Sequence, residues 1–118
     1  EKFVAGAYLE GGQSSRALTR VKQAIKDGTA LSLDTLADGR ASDFLGPQYD
    51  LYYSQAWLLV HFLQHGENAA HRAKWLRLVG YLRAHEGGVA TFRRVFGHLP
   101  SKFKEEWERH VLELKEGN

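Results

Sequence analysis

One stretch limits the fold more than any other: YDLYYSQAWLLVHFLQHG, residues 49 to 66. Asp50 can cap its start, Gly66 can end it, and nothing between them breaks a helix. Tyr49, Tyr53, Ala56, Val60 and Leu63 recur at helical spacing as one stripe, which Leu59 and Phe62 broaden. Only Asp50, Ser54, His61 and His65, with Trp57 among them, are left for a narrow polar edge. A helix that is apolar over most of its circumference belongs in the middle of a domain. As a β-strand the stretch is too long and lacks alternation. Its longest apolar run, Ala56 to Val60, is far short of the roughly 20 residues that cross a bilayer, so no membrane span is expected.

Four further segments carry helical patterns. SSRALTRVKQAIKDG places Leu18, Val21 and Ile25 on one face, with Ser14 or Ser15 as the cap and Gly28 as the terminator. In ENAAHRAKWLRLVGYLRAHEGG the spacing turns Ala69, Ala73, Leu76, Val79 and Leu82 inward, and Gly80 marks a place for close helix packing. VATFRRVFG reads as a short helix through Val89, Phe92 and Phe96, closed by Gly97. The last segment lines Phe103, Trp107, Val111 and Leu114 along one face, with Glu105 and Arg109 spaced for an i,i+4 pair. LSLDTLADG adds one short helical turn opened by Ser32, and the loop that follows carries Phe44 as an anchor. The opening EKFVAGAYLEGG reads as the tail of an element and a glycine turn. The expected fold is all-α: a single compact domain, residues 1–118, of five to six helices around a buried central helix at about 50–65.

Composition agrees with one core. A chain of 118 residues, 43% hydrophobic, buries a real interior as one domain, whereas two halves would each be too small. With no cysteine, the chain has no disulfide framework, no thiolate zinc site and no cysteine nucleophile. A formal net charge of +2 supplies no concentrated basic surface, so nucleic acid is not an expected partner. No methionine occurs, not even at position 1, which leads us to expect an excised piece of a longer protein.

Few residues have the spacing of a reactive site. His61 and His65, four apart on the central helix, are the only pair placed to share a metal. Phe62 follows His61 where a His-Glu-x-x-His peptidase needs its glutamate. The pair is therefore expected to form a polar edge, with no metal bound by this chain. His71, His85, His98 and His110 are scattered along the sequence and form no better cluster. No G-x-S-x-G elbow is present, and Ser54 sits in mid-helix, so serine catalysis has no foothold. Glycine turns at 10–15 and 86–88 read as caps, because phosphate-loop spacing is missing. Arg72, Arg77, Arg83, Arg93 and Arg94, with Lys74, Lys102 and Lys104, are expected on a solvated face. Trp57, Trp75 and Trp107 are expected to pack in the core.

The order of these features resembles a known arrangement. YYSQAWLLVHFLQHG resembles the tyrosine-x-glutamine-x-tryptophan helix that follows the catalytic helices in gluzincin-type metallopeptidases of the peptidase MA-like group. It is most similar to a planctomycete family, the domain of unknown function numbered 1570. A helix with Tyr81-Leu82, a short helix ending in Phe96-Gly97 and a last helix around Trp107 follow in the same order, over roughly residues 14 to 115. The resemblance implies a helical region beside a zinc-bearing catalytic half, with zinc as the cofactor of the full-length parent. It also implies Tyr53 as a donor to the oxyanion of a tetrahedral intermediate. On burial tendencies alone, Tyr53 reads instead as a core residue with its hydroxyl at the rim.

The sequence departs from the family pattern in two places. No His-Glu-x-x-His occurs, and FVAGAYLEG is similar only to the end of the family's W-x-x-E-G-x-A segment, through Tyr8, Leu9 and Glu10. That alignment sets Phe3 where the family has its zinc-binding glutamate; Glu1 reaches the place only in a shifted register. No zinc ligand carries over. The expected function is a non-catalytic accessory domain that supports and walls a substrate cleft, its partner the upstream catalytic domain of the same protein. The alternative is a stand-alone helical module that binds a peptide or protein.

Overall fold

A computed structural model describes residues 12–38, 48–84 and 88–114. The opening segment with Glu1, Phe3, Tyr8, Leu9 and Glu10, the loop anchor Phe44, and His85 lie outside the described residues. Among the described residues there are six α-helices, a 3-10 turn and no strand. The helices are α1 (Gly12–Asp27), α2 (Leu33–Asp38), α3 (Tyr49–Ala69), α4 (Arg72–Arg83), α5 (Val89–Phe96) and α6 (Lys104–Glu113), with the 3-10 turn at Pro100–Phe103. The chain is an all-α domain, and its radius of gyration of 13.4 Å matches the about 13.5 Å of one compact unit of this length.

Helix α3 is the beam, packed on by α1, α2, α4 and α6. Its buried side differs from the one that spacing alone suggests. Leu51, Tyr52, Gln55, Leu58, Leu59, Phe62, Leu63 and Gly66 are buried, and so is Trp57, expected on the polar edge. Tyr49 and Tyr53, expected in the inward stripe, are 57% and 46% exposed. The reason lies in the polar residue at the centre of the buried face. Gln55 is wholly buried because its side-chain amide replaces backbone partners for the α1–α2 loop. The Leu31 N–H donates to Oε1 at 2.7 Å, and Nε2 donates to the Leu31 carbonyl at 2.9 Å. A glutamine satisfied at both ends is stable in a core, and hydropathy patterning places it outside.

Regular helix stops at Gly66, whose ψ of 156° leaves the helical region; Glu67 and Asn68 then adopt left-handed angles. Gly66 fits because its α-carbon lies under the Phe62 ring, where a β-carbon would come within 2.6 Å of Cδ1. At the other end, Asp50 lies inside the first turn and not at the cap position, which Gln48 occupies.

Helix α4 is rotated from expectation. Trp75, Leu78 and Tyr81 pack on the core, while Leu76 and Leu82 are 59% and 44% exposed. Ala73 is likewise exposed. Gly80 sits in open space, with nothing within 4 Å of a β-carbon, so no close packing occurs there. Helix α1 begins at Gly12, ahead of both serines, and closes at Gly28 with φ of 75°. Ser32 does open α2, its hydroxyl accepting the Thr35 N–H at 3.1 Å.

Helices α5 and α6 follow their patterns: Phe92, Phe96, Phe103, Trp107 and Val111 are buried, and Leu114 packs partly buried against them. Gly97 closes α5 in the left-handed region. The expected Glu105–Arg109 pair is replaced by two others, Arg109 with Glu67 at 3.3 Å and Lys104 with Glu108 at 3.6 Å. Six-residue α2 joins distant parts: Asp34 accepts the Ser101 N–H at 2.9 Å, and Asp38 accepts the Val89 N–H at 3.3 Å. Gly88, at the cap position of α5, has no side chain to do this.

Candidate functional site

The tyrosine-x-glutamine-x-tryptophan triplet separates into two roles. Gln55 is the clamp on Leu31, and Trp57 is buried with its ring edge-on to His61. Both are explained by packing. Tyr53, one residue from buried Tyr52 and edge-on to its ring, presents its own ring on the surface. The expectation of Tyr53 as a core residue is therefore corrected: helical phase sends Tyr52 to the core, where its hydroxyl donates to the Leu36 carbonyl at 3.2 Å.

Three histidines converge where α3 meets α6. His61 Nδ1 and His110 Nε2 lie 2.9 Å apart in a hydrogen bond. The His65 and His61 ring centres are 4.8 Å apart, and those of His61 and His110 are 5.1 Å apart. Burial, followed by the charges of the neighbouring His110 and His65, holds His61 far below its ordinary value, at about 4. His110 is lowered chiefly by burial and then by His65, against the opposing pull of Glu113 and Glu67. Arg72 brackets the cluster, with Nη2 at 3.3 Å from His65 Nδ1 and Nε donating to the Gln64 carbonyl at 3.0 Å.

Spacing within the sequence finds His61 and His65 but misses His110, which is 49 residues from His61. The one signal for His110 was phase: His61 and His110 each precede a buried residue, Phe62 and Val111, and so flank a core-facing stripe. Among the described residues no group of three histidine or carboxylate side chains is placed to hold a metal ion. The other described histidines serve packing. His71 and His98 each lie 4.7 Å from the ring of Phe103, the hub of an aromatic knot with Phe62, Phe92 and Phe96.

Trp107 is buried and Trp75 partly so, as their spacing suggests, and Trp57 is buried despite its place along the expected polar edge. The basic side chains of α4 and α5 are exposed, and Arg94 lies over the Tyr81 ring at 4.6 Å. An apolar groove of about 300 Å³ opens between α2, α3, α4 and α5, with Tyr52, Leu59, Leu63, Trp75, Leu82 and Phe92 in its walls. No helix among the described residues is long and apolar enough to cross a membrane.

The described residues form a small all-α domain with an exposed tyrosine edge, an interhelical histidine cluster and an apolar groove. No protein-family profile matches the chain, and no match was found among curated proteins or solved structures.

Proposed function

We propose that this domain is a non-catalytic accessory module of a gluzincin-like, zinc metallopeptidase-like protein. It supports the catalytic half by packing and lends one wall to the substrate cleft. The observation that carries the reading is the division within the Tyr53–Gln55–Trp57 triplet. Two members are buried for structural reasons, while the aromatic donor stands 46% exposed at the first turns of α3, with Tyr49 beside it at 57%. An exposed tyrosine pair on a rigid helix suits contact with a neighbouring domain or a bound peptide. The domain has no catalysis of its own: zinc would be held by the catalytic half, and Tyr53 would complete that half's site as a donor to the oxyanion.

The test compares the isolated chain with the longer gene product that this reading requires. The chain alone is expected to bind no stoichiometric zinc in equilibrium dialysis and to hydrolyse no unfolded protein substrate. The longer product is expected to bind one zinc. Its Tyr53→Phe variant should retain that zinc and lose on the order of 100-fold in kcat, the scale of one oxyanion donor. Stoichiometric zinc with hydrolysis by the chain alone would overturn the reading. So would a gene product without His-Glu-x-x-His.

The apolar groove favours a second reading, a free-standing module that holds an apolar stretch of a protein partner. Leu82, exposed in the groove wall, separates the two. Leu82→Asp abolishes partner binding in the second reading and leaves hydrolysis by the longer product intact in the first.

A further inference from the structure

We propose that His61, His65 and His110 form an acid-sensitive latch that ties the C-terminal helix α6 to the central helix α3 and loosens it when the cluster takes up protons. The chemistry follows from the bond between the two rings. In the neutral state one imidazole nitrogen donates and the other accepts across 2.9 Å. One added proton leaves that bond possible, because the acceptor nitrogen is still free. A second puts a hydrogen on both facing nitrogens, and the bond cannot exist.

The surroundings oppose even the first proton. His61 is half-buried between Trp57, His65 and His110. Arg72 of α4 lies on the His65 side, and since a guanidinium only donates, His65 Nδ1 is the acceptor there and carries no hydrogen. Helix α6 adds the acidic Glu113 and the cationic Arg109, and the kinked end of α3 adds Glu67, already paired with Arg109. From α1, Lys22 donates to the Leu114 carbonyl at 2.6 Å, a further cation at the end of α6. Glu113 and Glu67 are the carboxylates that act on His110, Arg72 is the cation that touches the cluster, and charging the rings adds repulsion that two acids, one of them already paired, only partly offset.

The direction of the pH effect is set by the lowered affinity of His61 and His110 for protons. The unfolded chain, with ordinary histidines near 6.5, binds protons that the folded cluster refuses. The cluster's contribution is thus fully present above about pH 6.5 and is lost as pH falls toward the folded value of about 4 for His61. Trp107 and Val111 keep α6 in the core, so the loosening begins in the turns that carry His110 and Leu114.

Two measurements on the chain test the latch. In a proton NMR titration, the His61 ring signal is expected to titrate at about pH 4 and the His110 signal below its ordinary value; both titrating at or above 6.5 would overturn the proposal. Amide hydrogen exchange, corrected for the intrinsic pH dependence, is expected to speed at least tenfold for residues 108–113 between pH 7 and pH 4.5. Amides of α5 should change less than twofold. In His110→Asn that contrast between α6 and α5 should vanish. Equal acceleration of both helices in the unsubstituted chain, or an undiminished contrast in His110→Asn, would sink the idea.

Discussion

Gln55, Gly66 and Gly80 are ordinary residues whose surroundings give them opposite importance. Gln55 satisfies both the N–H and the C=O of Leu31 from a fully buried position. Gln55→Leu keeps the volume but orphans two backbone groups, and it is expected to destabilise by about 2 to 4 kcal/mol in urea unfolding. Gly66→Ala forces a β-carbon against the Phe62 ring, itself 0% exposed and unable to move aside. The expected loss is about 1 to 3 kcal/mol. Gly80 lies in an exposed helix interior with open space around it. There Gly80→Ala is expected to raise stability by about 1 kcal/mol, read as a higher urea midpoint with unchanged m. All three glycine and glutamine roles were hidden from spacing, because they depend on what lies opposite each residue in the fold.

Elements were legible where one stripe dominates and ambiguous where two compete. In α5, the 3-10 turn and α6 the large aromatics all point to the core, so the inward placement that spacing gives Phe92, Phe96, Phe103 and Trp107 is where they are found. Helix α4 carries two apolar stripes, one through Ala73, Leu76 and Val79, the other through Trp75, Leu78 and Tyr81. The bulkier stripe packs, since it buries more apolar area. The joints between elements were not legible at all. Asp34 and Asp38 bond backbone N–H groups 67 and 51 residues away, a pairing no local pattern encodes. Asp38→Ala should lower stability by about 1 kcal/mol, the scale of a lost cap at the start of α5. Circular dichroism during thermal unfolding would register it as a lower Tm.

At the scale of the molecule, the all-α class and the central place of α3 were readable from one apolar 18-residue stretch, whereas the candidate site was only half readable. His61 and His65 share a helix and could be paired from spacing; His110 joins them only through the docking of α6 on α3. The phase of α3 leaves Tyr49 and Tyr53 outward, and the packing of α2, α4 and α5 around α3 forms the groove. What organises all of this is the orientation of α3 within the bundle and of α4 against it. Equilibrium denaturation of Leu58→Ala and Leu76→Ala measures that orientation most directly. Leu58 is 0% exposed on α3 and Leu76 59% exposed on α4, so the expected losses are about 3 kcal/mol or more for the first and under about 1 kcal/mol for the second. Equal losses, or a larger loss for Leu76→Ala, would contradict the arrangement and the exposed tyrosine edge that depends on it.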